Sequence, residues 1–88
     1  MEFEWDEDKR LKVLEKHGID FNKAGQIFQI RHIVLEAKSE VEPRFIVIGF
    51  LNGEWIAVVF TYRGKSCRLI TARKARENER RAYRSVHN

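Results

Sequence analysis

RFIVIGFLNGEWIAVVFTYRGKSCRLIT, residues 44–71, is the stretch whose reading decides the fold. Phe45, Val47 and Leu51 alternate with Ile46, Ile48 and Phe50, so the run Arg44–Leu51 has apolar side chains at both parities. A strand with that pattern is covered on both faces, and Trp55 to Phe60 reads the same way. Asn52-Gly53 joins the two runs, and these residues best tolerate the positive φ angles of a tight hairpin. Arg63-Gly64 turns the chain once more into a third strand, Lys65–Thr71.

Working outward, Ile33–Ala37 is a weaker strand suited to a sheet edge, and Phe3–Trp5 alternates like a short strand. Asp6 is placed to cap a helix from Glu7 to about Lys16, with Glu7 and Asp8 favourable to its dipole and Gly18 to end it. Leu11 and Leu14 share one face of that helix. Asp20 caps a second helix in which Phe21, Ala24 and Phe28 recur at helical spacing. Beyond the strands, Lys74 to Tyr83 returns to a helical pattern with a thin apolar stripe of Ala75, Ala82 and Tyr83. The expected architecture is one α+β domain over residues 1–88. It is an antiparallel meander with N-terminal helices, a basic C-terminal helix, and the helices on one face.

Composition narrows the function. The chain has 88 residues, and Lys and Arg (17) exceed Asp and Glu (13) by four. The excess suits an anionic partner such as nucleic acid or an acidic protein, though charge of this size also serves solubility alone. It is uneven: Glu2, Glu4, Asp6, Glu7 and Asp8 crowd the start, whereas Arg63 to Arg84 carries nine basic residues against only Glu77 and Glu79. Cys67 is the single cysteine, which excludes an internal disulfide and a Cys-rich metal site. Its apolar surroundings suit a buried inert thiol rather than a nucleophile. No apolar run approaches the roughly 20 residues of a membrane span. With no signal-peptide pattern at the start, the expected location is the cytoplasm.

The chain also resembles a known family. Phe3-Glu4-Trp5-Asp6, Lys9, Lys16-His17-Gly18-Ile19, and the set Phe21, Ala24, Ile27 and Phe28 fall in the order and spacing of the BrnT-type toxins. So do Glu42 with Arg44, Ile48-Gly49, Val58 to Gly64, Arg68 to Ala75, and Glu79-Arg80-Arg81 with Tyr83. Val13 stands where the family usually has Asn, Thr71 where it has Ser, and Ile30-Arg31 in place of its Asp-Pro. The resemblance implies a RelE/ParE-like fold and a ribonuclease of a type II toxin–antitoxin module, acting without metal or cofactor. Its implied partners are RNA and a BrnA-like antitoxin with a ribbon-helix-helix DNA-binding domain, in a hetero-oligomer. The alternative left open is a catalytically inactive member that binds antitoxin or nucleic acid.

Metal-free RNA cleavage needs a base for the 2′-hydroxyl, positive charge around the phosphorane-like transition state, and an acid for the leaving oxygen. Arginine suits the second role because its planar fork holds two phosphate oxygens and stays charged. Arg63 at a turn and Arg73 at a strand end are expected to present guanidinium groups at one sheet edge. Arg44, Arg68, Lys16 and Lys74 are further phosphate contacts. Glu42, just before the strand that carries Arg44, is the candidate general base; the other reading is a carboxylate in a surface ion pair. His17 carries an imidazole, a side chain suited to acid–base chemistry, but its place before Gly18 equally suits a helix-terminal cap. Trp5, Trp55 and Tyr83 read as packing residues rather than base-stacking platforms. His32 and His87 lack a second ligand at metal spacing.

Overall fold

The computed structural model describes residues 1–87. Its elements are β1 (Glu2–Glu4), α1 (Glu7–His17), α2 (Phe21–Ala24), a 3-10 helix (Gly25–Gln29), β2 (His32–Ala37), β3 (Arg44–Leu51), β4 (Glu54–Arg63), β5 (Ser66–Lys74) and α3 (Glu77–Val86). The caps follow from local chemistry. The Asp6 carboxylate accepts the backbone N–H groups of Asp8 and Lys9, and Gly18 closes α1 in the left-handed conformation at φ 71°. The Asp20 carboxylate accepts the N–H of Asn22.

The strands form one sheet in the order β1-β5-β4-β3-β2. β2 to β5 are the expected antiparallel meander, with β2 at an edge, but β1 pairs with β5 in parallel, so the sheet is mixed. The crossover from β1 through α1 makes this possible, because a strand that leaves the sheet and returns can run either way. β5 is longer than expected and absorbs an extra residue, Ile70, where the register shifts opposite Val59 and Phe60.

The helices do not share one face. On the first face, Phe21, Ala24, Ile27 and Val13 pack with Val47, Val58, Phe60, Cys67 and Leu69. Phe60 is 1% exposed and meets Phe28 edge-on at 5.0 Å between ring centroids. Burying such a side chain contributes about 1.5–3 kcal/mol. On the second face α3 brings Ala82 and Tyr83 to Ile33, Ile48 and Ala57. Tyr83 stands edge-on to Trp55 at 4.8 Å, and Trp5 edge-on to Phe21 at 6.0 Å, so these aromatics do pack. The reason for two covered faces lies in β3 and β4, whose apolar residues occupy both parities. In α1 the buried residue is Val13, while Leu11 and Leu14 are exposed. Burial raises the Cys67 thiol to a pKa of about 11, which leaves it a weak nucleophile.

Gly49 shows how closely the first face is packed. A Cβ there would lie 3.0 Å from Ile27 Cγ1 and 3.1 Å from the carbonyl oxygen of Arg31. Gly49→Ala therefore overpacks β3 against the 3-10 helix, and urea denaturation should show a loss of roughly 1–3 kcal/mol. An unchanged midpoint would mean that the 3-10 helix moves aside freely.

Candidate active site

Pleating sorts the second face of the sheet into lateral rows. One row is Ile33, Ile48, Ala57 and Arg73, directly opposite one another on β2 to β5. The next is Leu35, Ile46, Val59 and Thr71. The third sets Ala37 against Arg44 and Thr61 against Arg68, with Glu4 of β1 beside Arg68. α3 packs on the first row, which leaves the third open at the far end of the sheet.

That open end gathers charge. A cleft of about 170 Å³ is lined by Asp6, Lys9, Glu42, Arg44, Arg63, Arg68, Leu69 and Ile70. Thr61, buried in the floor, donates its hydroxyl to the Pro43 carbonyl at 2.5 Å and so pins the loop that delivers Glu42. The Glu42 carboxylate lies 3.8 Å from Arg44 Nη2 and 3.9 Å from Arg63 Nη2. These separations exceed hydrogen-bonding distance, and Arg63 is 53% exposed, so each contact contributes at most about 1 kcal/mol. Arg68 is held more firmly, donating to Glu4 at 2.7 Å. Arg44 Nε is buried without an acceptor among the described residues.

Glu42, Arg44, Arg63 and Arg68 are thus brought together. Arg73 is not. β4 and β5 run antiparallel, so the end of one strand and the end of the other lie at opposite limits of the sheet, Arg63 facing Ser66 and Arg73 facing Ala57. Six residues of strand separate these levels, about 20 Å. Arg73 instead makes a bidentate pair with Glu79, at 2.8 and 2.9 Å. Glu79 also accepts the N–H of Arg76 at 2.7 Å and so closes the first turn of α3. This explains why α3 starts at Glu77 rather than Lys74: Lys74 remains in the ladder opposite Ile56, and the Ala75 N–H donates to the Trp55 carbonyl. Lys16 and His17 lie at the other end of α1 from Lys9, about 12 Å along the helix, and neither lines the cleft. His87 donates from its ring to the His32 carbonyl at 3.0 Å, a structural bond. Among the described residues, no three His, Cys, Asp or Glu side chains are grouped to hold a metal ion.

Two charged cleft residues, Asp6 and Lys9, and Glu4, the partner of Arg68, escape the sequence reading of the site. Asp6 and Lys9 show there only as a cap and a motif position, because the parallel return of β1 to β5 carries no sequence signal. Glu4 had one: alternation with Phe3 puts it on the face opposite the core.

A small α+β protein with a carboxylate set among guanidinium groups at an open sheet end has the equipment to handle a phosphodiester. The family described as the ribonuclease toxin BrnT of type II toxin–antitoxin systems matches residues 5–79, and the chain belongs to it. The crystal structure of the Brucella abortus ribonuclease toxin BrnT superposes with a TM-score of 0.73 at 34% identity, covering 88% of this chain and 99% of that one. No curated protein gives a significant match. Membership implies a cognate antitoxin. No helix among the described residues is long and apolar enough to cross a membrane.

The Arg73–Glu79 pair yields a stability prediction. Arg73 lowers the pKa of the Glu79 carboxyl below its ordinary value of 4.5. A carboxyl with a depressed folded pKa stabilises the protein above its unfolded value, and that contribution fades as pH falls through the folded value. Wild-type stability should therefore drop below about pH 4.5, and Glu79→Gln should lose part of that dependence. Arg73→Ala, which strands a carboxylate only 4% exposed, should cost about 3–5 kcal/mol at pH 7 by urea denaturation. A wild-type pH profile identical to that of Glu79→Gln would remove this role.

Proposed function

We propose that the cleft is the ribonuclease site and that it cuts RNA without a metal ion. The observation that carries this reading is the Glu42 carboxylate held loosely between Arg44 and Arg63. Because those contacts are weak, a phosphodiester can take both guanidinium groups while Glu42 turns to the neighbouring ribose. Arg68, Lys9 and the unsatisfied Arg44 Nε add positive charge and a further donor where the phosphorane dianion forms. The 2′-oxygen attacks phosphorus as its proton passes to Glu42. The bond to the 5′-oxygen breaks, that oxygen takes a proton from water at the open cleft, and Glu42 gives its proton to the hydroxide so formed, which restores the carboxylate. The products are a 2′,3′-cyclic phosphate and a 5′-hydroxyl. Arg73, Lys16, His17 and Lys74 have no direct part.

Purified protein should cut RNA in EDTA and leave DNA intact, since only RNA supplies the 2′-hydroxyl. Glu42→Gln should slow cleavage roughly 10²–10⁴-fold. Arg63→Lys should rescue Arg63→Ala poorly, because an ammonium lacks the fork. His17→Ala should leave cleavage unaltered. Cleavage that requires a divalent ion, or full activity in Glu42→Gln, overturns the mechanism.

The fold reading extends to a RelE/ParE-like domain spanning residues 1–88, and the partner reading to a BrnA-like ribbon-helix-helix antitoxin with an acidic segment. Of the arginines in α3 and at its N-cap, Arg80 and Arg84 are tied to Glu77, whereas Arg76 and Arg81 stand exposed and are available to that segment. Replacing Arg76 and Arg81 by Gln should slow antitoxin association and flatten its salt dependence. An on-rate unchanged at low and high salt would assign α3 no part in docking.

A further inference from the structure

The row between α3 and the arginines has no task in the mechanism above. Leu35, Ile46, Val59 and Thr71 lie side by side across four strands, all partly exposed. Leu35 and Ile46 pack from below into the cluster that α3 covers, so the strip is anchored. Ile46, Val59 and Thr71 are β-branched and stiff at χ1, which makes the surface flat and firm. On one side stands α3, whose first turn is fixed by Arg73 and Glu79. On the other, two residues along β3, is Arg44 of the phosphate row, a step of about 7 Å. One ribose spans a comparable gap between a phosphate and its own base.

We infer that this strip seats the base of a nucleotide adjoining the scissile phosphate, with the Thr71 hydroxyl at its β5 end reading the base edge. The inference rests on the cleft being the ribonuclease site. The row is apolar along Leu35, Ile46 and Val59 and has a polar group only at Thr71, the distribution that suits a base: a face to cover and an edge to read. It contains no charge, so it adds nothing to phosphate binding; its contribution is contact with whatever the phosphate carries. The base must leave its stack to lie there. The preferred substrate is therefore single-stranded RNA, since a paired base in an A-form helix is held within the duplex.

The test is a cycle between protein and substrate. Short single-stranded RNAs of one sequence, cut at one bond, are made with an abasic ribonucleotide on the 5′ or the 3′ side of that bond. Cleavage rates are measured for the full-length wild type, Val59→Ala, the shape-conserving Val59→Thr, and Thr71→Val, with thermal melts to confirm folding. Wild type should lose roughly tenfold or more with the abasic nucleotide on one side only. Val59→Ala and Val59→Thr should cut the intact RNA more slowly but lose little further on the abasic RNA. Thr71→Val should change the relative rates among the four bases at that position while leaving the abasic rate alone. If the abasic substitution costs wild type nothing on either side, or costs the Val59 variants as much as wild type, the strip does not seat a base. Loss of cleavage in Arg63→Ala would uphold the cleft in either event, and full activity there would overturn the cleft reading separately.

Discussion

β3 and β4 cannot slip past one another, and the rest of the molecule depends on that constraint. Their side chains fill a different environment at each parity: Val47, Val58 and Phe60 are closed under α1, α2 and the 3-10 helix, while Ile48 and Ala57 are closed under α3. A shift of one residue would drive Thr61 and Arg63 toward the first core and bring Phe60 out to the arginine face. The penalty falls on both cores at once, so the register is fixed without help from the exposed β2 edge. The tight turn at Asn52 and Gly53, with φ of 50° and 83°, sets the same register locally. Once it is fixed, the second face carries apolar residues under α3 and cationic residues beyond it.

The central part of this arrangement was legible in the sequence because it rests on local chemistry. Two-parity apolar runs, a hairpin dipeptide, Asp caps and a Gly stop each act within a few residues. The parallel pairing of β1 was not legible, since a strand of three residues says nothing about its distant neighbour or direction. The covering of both faces was legible in the two-parity runs of β3 and β4, yet the thin apolar stripe of α3 argued against giving that helix the second face. Tyr83 is large enough to compensate for Ala75 and Ala82, and the Arg73–Glu79 pair anchors the end that the apolar stripe cannot hold.

The candidate site divides along the same line. Glu42, Arg44, Arg63 and Arg68 were recoverable because each stands at or near a strand end that the hairpin order brings to one side. Arg73 looked equivalent to Arg63, since both end a strand, but antiparallel neighbours end at opposite limits of a sheet. Among these arginines, exposure separates the two uses. Arg73 is 17% exposed and grips a carboxylate 4% exposed, where losing a partner leaves a buried charge uncompensated. Arg63 is 53% exposed with a contact at 3.9 Å, where a ligand can displace the partner at little cost. A tight ion pair holds structure, and a loose one is free to exchange.

Folding also redistributes the charge that looks so lopsided along the chain. The acidic start is partly neutralised: Glu4 is paired with Arg68, Glu7 with Arg10, and Asp6 accepts the backbone N–H groups that cap α1. At the basic end, Glu77 answers Arg80 and Arg84, and Glu79 answers Arg73. At the open sheet end, Arg44 and Arg63 keep only loose contacts to Glu42, with Arg68 and Lys9 beside them. An anion approaching within a Debye length of about 10 Å senses that local surplus rather than the net charge of the chain. A modest overall excess is therefore compatible with a local surplus of positive charge at this end of the sheet. The parallel return of β1 contributes to this, because it lays Glu4 beside Arg68 and steadies one cation of the cleft, whereas Arg44 and Arg63 stay only loosely paired.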